Sequence, residues 1–213
     1  MAVWAWVLDP RLAAPLVVLG SLLGQALALG VIRQGFSWRN VLPLVAGGVL
    51  GLPPGILLLR WLDPAGFRLA LGLLLLAWCP AMLLARRLPR VTRGGALADA
   101  AAGWVGGVMG GLGGLSGPAP TLWTTLRGLP RDAQRSALQA FNTAMHLLAL
   151  AGYAATGTLS AEAAGLFLVV APAMLVPALL GARLYRRLDD AAFRRVVLWL
   201  LAASGAVLVA TAL

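Results

Sequence analysis

"GGVMGGLGGLSGPAPTLW", residues Gly106–Trp123, decides how this chain is read. Glycines crowd the stretch and prolines close it, yet strongly apolar sequence flanks it on both sides. A glycine inside a helix costs about 1 kcal/mol relative to alanine, and a proline removes a main-chain donor. Two causes can offset that. Gly103, Gly107 and Gly111 recur every fourth residue, as do Gly106 and Gly110, and such ridges let membrane helices touch backbone to backbone. This accounts for 103–111 but not for "GGLSGPAP", where Gly117 ahead of Pro118 is biased away from helix. The helix is expected to break there, at membrane depth, which is tolerated only where protein buries the freed backbone or a wet cavity receives it. A half-helix restarting at Pro118 then points unpaired amides and a partial positive charge back into the bilayer, which suits an anion.

A bilayer is the expected solvent because 61% of the 213 residues are hydrophobic and only 11% are charged. A soluble domain carries about 25% charged residues. Seven apolar segments recur, near 12–32, 41–60, 67–86, 96–126, 135–156, 161–182 and 194–213. The first resembles a signal peptide, but its apolar part is long and further segments follow, so a retained helix is expected. The fourth exceeds the ~20 residues that one crossing needs. It is either one broken helix or a helix followed by a re-entrant half.

The formal charge of +10 comes from 17 basic residues, all arginine, clustered between the segments. It reads as loop charge that orients the chain, and nucleic acid is excluded as a partner. Counting each segment as one crossing, Arg11, Arg60, Arg68, Arg127, Arg131, Arg135, Arg183, Arg186, Arg187, Arg194 and Arg195 share one side. Arg33, Arg39, Arg86, Arg87, Arg90 and Arg93 share the other. The richer side is cytoplasmic by the positive-inside rule, which puts the amino terminus inside and the carboxyl terminus outside. Cys79 is the only cysteine, so there is no disulfide framework or thiolate metal site, and no metal or cofactor motif is visible.

"GILLLRWLDPAGFR" (Gly55–Arg68) and "GARLYRRLDDAAFR" (Gly181–Arg194) are an internal repeat. They share Gly55/Gly181, Arg60/Arg186, Leu62/Leu188, Asp63/Asp189, Ala65/Ala191, Phe67/Phe193 and Arg68/Arg194. Each joins a proline-broken apolar segment to the next one, as in transporters built from two halves. The chain divides into a first repeat of three helices, 1–95, and a second of four, 96–213. The same offset places the counterpart of the glycine stretch ahead of Met1. Either the chain starts late or such proteins tolerate the loss.

In "RSALQAFNTAMHLLAL", Arg135, Gln139, Asn142 and His146 fall within about a 60° stripe of one helix. Ionisable groups inside spans are functional by default, although Gln139 alone reads as an interhelical bond and Arg135 alone as an interfacial snorkel. Ser21 and Gln25 are a similar pair on the first segment. Asp63 and Asp189 pair with loop arginines or cap the next helix, Asp99 and Glu162 suit helix starts, and Trp38 and Trp61 read as interface anchors.

"GGLGGLSGPAPTLWTTLRGLPRDAQRSALQAF" and "GFSWRNVLPLVAGGVLGLPPGILLLRWLD" together resemble the TauE/SafE permeases, membrane transporters of the sulfite and organosulfonate exporter type. The resemblance covers nearly the whole chain but lacks the Gly-rich helix of the first repeat. It implies an all-α polytopic protein of the inner (plasma) membrane that moves a small anion, sulfite-like, sulfonate-like or a small organic acid, with no covalent chemistry. The expected anion contacts are Gly113, Gly114, Ser116, Gly117, Pro118, Arg135, Gln139, Asn142 and His146. The expected partners are that anion, the lipid bilayer and, where the protein self-associates, a second copy.

Two rivals stand beside transport. "GLSG" (Gly114–Gly117) has the form seen in intramembrane serine proteases, with His146 as the sole histidine available for a dyad with Ser116. The other rival is a membrane assembly subunit that transports nothing.

Overall fold

The computed structural model describes residues 8–27, 35–85, 89–91, 93–185 and 190–212. Among them there are eight helices and no strand: α1 (Pro10–Leu27), α2 (Trp38–Trp61), α3 (Pro64–Ala85), α4 (Gly95–Gly113), α5 (Pro118–Leu126), α6 (Arg131–Ala155), α7 (Ala161–Tyr185) and α8 (Asp190–Ala210). The fold is all-α, as expected, and the fourth apolar segment is the one that divides. Both α2 and α3 reach a mean hydropathy of 2.0 and are long enough to cross a bilayer. Trp38 and Trp61 sit exposed at the two ends of α2, where indole rings suit a membrane–water boundary.

Segment four is a re-entrant hairpin. The amide of Val91, ahead of α4, donates to the carbonyl of Leu126 at the end of α5 (2.9 Å). Asp99 near the start of α4 holds Trp123 and Arg127, while Gly106 and Gly110 further along face Pro120 and Ser116. Thus α4 climbs, the chain turns over Gly114–Gly117, and α5 descends beside it. We call the end holding the turn the tip end and the other the base end.

The glycine ridge of α4 meets a second one on α2. A methyl at Gly103, Gly107 or Gly111 would collide with the carbonyl of Leu44, Gly48 or Leu52. One at Gly47, Gly51 or Gly55 would collide with that of Ala100, Trp104 or Val108. The two helices therefore run parallel in backbone contact, as the small-residue spacing implied. On the opposite face, Gly106 and Gly110 make room for the turn. A side chain on either face would push the hairpin apart.

The remaining helices follow from paired contacts. Arg11 of α1 donates to the carbonyl of Arg60 at the end of α2 (2.6 Å), so α1 starts at the tip end. Gly72 faces Gly205 and Val209, while Cys79 and Met82 cluster with Leu198, so α8 runs antiparallel to α3. Asp63 Oδ2 accepts from the amides of Ala65 and Gly66 (3.2 and 3.1 Å), capping α3 rather than pairing with an arginine. Asp189, Arg33, Arg86, Arg87, Arg186 and Arg187 lie outside the described residues.

This path changes the expected sidedness. Because α5 returns to the base end, α6 starts where α4 started, and the described chain ends, at α1 and α8, both lie at the tip end. Termini on opposite sides were expected because the fourth segment was counted as a crossing. Thus α3 starts at the tip end and α8 at the base end.

Candidate functional site

The break begins with an αL cap. Gly114 has φ 70°, a conformation that favours glycine, and its amide donates to Gly110 (2.7 Å). Carbonyls in the last turn of a helix lack intrahelical partners, and α6 supplies two. Tyr153 donates its hydroxyl to Gly111 (2.7 Å), and His146 Nε2 lies 3.0 Å from the Gly114 oxygen. A carbonyl only accepts, so Nε2 carries the proton and Nδ1 is left as a buried atom without a partner among the described residues.

Past the cap, Ser116 is fully buried and its hydroxyl donates to Asn142 Oδ1 (2.9 Å). Gly117 sits over the same carboxamide, where an added methyl would lie 3.6 Å from Asn142 Nδ2. Pro118 and Pro120 carry no N–H, so the start of α5 offers fewer donors than an ordinary helix start. Among the described residues, no acceptor is recorded for the amides of Ser116, Gly117 and Ala119, whereas Thr121 already donates to Gly117 (3.0 Å). With about 1.5 Å of rise per residue, Gly106 and Gly110 lie about 16–22 Å along α4, so Ser116 beside them is deep in the bilayer.

Three further contacts brace the hairpin. Trp78 of α3 donates to the carbonyl of Pro118 (3.2 Å). Asp99, a buried carboxylate, accepts from Trp123 Nε1 (2.6 Å) and from Arg127 Nη1 (2.6 and 2.8 Å). Gln134 of α6 donates to the hydroxyls of Thr124 and Thr125 (3.0 and 2.9 Å).

Of the residues singled out from the sequence, the structure gathers Gly113, Gly114, Ser116, Gly117, Pro118, Asn142 and His146 around the break. It does not bring Arg135 there. Arg135 is exposed near the start of α6, about 10 Å of helix rise below Asn142. Gln139 donates to the carbonyl of Gln25 on α1 (3.3 Å), an interhelical bond. A Ser–His dyad is not formed, since Ser116 is bonded to Asn142 and His146 to Gly114. Tyr153 escaped the sequence reading, although it lies seven residues beyond His146 and so on the same face. Trp78 and the Asp99–Arg127 pair gave no local signal.

The family described as Sulfite exporter TauE/SafE matches residues 1–208. No curated protein and no solved structure matches the chain.

Proposed function

The chain belongs to the sulfite exporter TauE/SafE family of integral membrane transporters, and we propose from this that it is a permease for small oxyanions of the sulfite or sulfonate type. The observation that carries this reading is the turn Gly114–Gly117, where buried Ser116 donates its hydroxyl to the Asn142 carboxamide and Gly117 lies beside the same group. Irregular backbone at membrane depth is expected where it meets protein or a solvated substrate path. Main-chain donors beside a helix start favour negative charge there. The contact set we propose is Gly113, Gly114, Ser116, Gly117, Pro118, Asn142 and His146, with Arg135 and Gln139 serving the approach from the base end.

The repeat fits the same reading. The helices that follow the two repeat copies start at opposite ends, α3 at the tip and α8 at the base, as inverted repeats require, so 1–95 and 96–213 are best treated as inverted halves with the hairpin in the second. We place the base end in the cytoplasm of a plasma-membrane protein. Among the described residues, Arg39, Arg90, Arg93, Arg127, Arg131, Arg135 and Arg195 lie at that end, against Arg11, Arg60 and Arg68 at the tip end.

Flux of sulfite and of simple sulfonates into proteoliposomes tests the reading. The wild type is expected to carry at least one of them, and Ser116→Ala combined with Asn142→Leu to lose at least about tenfold, the scale of a lost buried hydrogen bond. Wild-type flux equal to that of empty liposomes would favour the assembly-subunit reading. Equal flux in wild type and variant would remove the break from the path.

A further inference from the structure

Among the described residues, three arginines lie at the tip end, the end that the positive-inside rule leaves poor in them, and two converge on one cleft. Arg11 and Arg60 line a cavity of about 590 Å³ together with Asp9, Leu12, Thr156, Gly157, Thr158 and Ser160. Its walls are the start of α1, the end of α2 and the turn from α6 to α7. Helix dipoles do not set its sign, because α1 and α7 begin there while α2 and α6 end there. The side chains do. Asp9 is engaged by the amide of Arg11 at the start of α1 (2.8 Å), which leaves two guanidiniums facing one already-bonded carboxylate.

The cleft is also furnished for hydrogen bonding to oxygen. Ser160 Oγ accepts from the Ala163 amide (3.1 Å), so its own hydrogen is available to a ligand. The Thr156 hydrogen goes to the Gly152 carbonyl (2.9 Å), so Thr158, 3.0 Å from Thr156 Oγ1, donates its own hydrogen to Thr156 and leaves Ser160 as the free hydroxyl donor. Arg11 spends one N–H on the Arg60 carbonyl, which ties α1 to α2 and holds its guanidinium in place, while the Arg60 guanidinium is exposed. Further along α1, buried Val17 and Val18 pack on Gly114.

We infer that this cleft is an oxyanion-binding vestibule at the tip end, in which Arg60, Arg11 and the Ser160 hydroxyl take a small sulfur or carbon oxyanion before or after it passes Ser116. The inference rests on the transport reading above. A focused positive potential at a channel mouth raises the local anion concentration, and a planar guanidinium matches two oxygens of one anion. The vestibule therefore acts on apparent affinity from one face of the membrane and not on turnover.

Sulfite flux in proteoliposomes of known protein orientation separates these effects. The variants are Arg60→Gln, Arg60→Lys and Ser160→Ala, each checked by melting temperature for intact folding. Arg60→Gln is expected to raise KM for anion presented at the tip end about tenfold, as loss of a charge-assisted hydrogen bond does. Turnover and the base-end KM stay within about twofold, the Lys variant recovers part of the loss, and added salt narrows the difference. The hydroxyl variant raises the tip-end KM by a smaller factor. Wild-type flux with a tip-end KM unchanged in Arg60→Gln, or raised equally from both ends, overturns the vestibule alone. No wild-type flux of sulfite or a sulfonate overturns the transport reading and the vestibule with it.

Discussion

The hydroxyl of Tyr153 sits 2.7 Å from the carbonyl of Gly111, and neither the phenol nor that turn of α4 meets solvent. Tyr153 thus completes a helix end that stops inside the protein. Tyr153→Phe keeps the packing and strands the carbonyl, so it is expected to destabilise by about 1–2 kcal/mol. Melting of the detergent-purified protein reads this directly, and an unchanged midpoint would mean that another group takes the bond.

Close contact between α2 and α4 gives a second expectation. Gly51→Ala and Gly107→Ala each put a methyl onto a facing carbonyl, and each is expected to lower stability by about 1–3 kcal/mol. Gly165→Ala is the control, because nothing lies within 4 Å of its added methyl. Removing a helical glycine there is expected to stabilise by up to about 1 kcal/mol. The opposite signs at helical positions distinguish backbone packing from propensity.

Asp99 is the clasp that holds α5 against α4. Asp99→Asn leaves Arg127 without its countercharge and weakens the Trp123 bond, with an expected loss of about 1–3 kcal/mol, since the Arg127 side chain is 28% exposed. A double-mutant cycle with Arg127→Gln checks it, and additive effects would show that the two side chains act separately.

Gly117 offers a test of the site at modest cost to the fold. Its φ of −72° and ψ of −38° are helical, which a side chain ahead of Pro118 disfavours, and an added methyl would make only ordinary contact with Asn142. Gly117→Ala is expected to lose no more than about 2 kcal/mol of stability yet carry oxyanion at least about tenfold more slowly, because the methyl occupies the space beside the Asn142 carboxamide. Undiminished flux would place the path elsewhere.

The break was legible because its cause is local: proline chemistry acts on its immediate neighbours, and glycine spacing shows one face of one helix. The partner ridge on α2 is present in "GGVLGLPPG", but sequence spacing does not say which ridge meets which. Nor does it give the direction of return, which depends on Asp99 meeting Arg127 across 28 residues. The α6 stripe shows the same limit differently. Periodicity fixes the angle of a residue around a helix and not its height, so Asn142 and His146 reach the break while Arg135, on the same line, stays near the surface.

A hairpin that enters and leaves by one face is neutral with respect to topology. Adding or removing such a unit leaves every later helix pointing the way it did, whereas losing a single crossing inverts all that follow. The hairpin therefore sets the depth of the break without bearing on which face any other helix reaches.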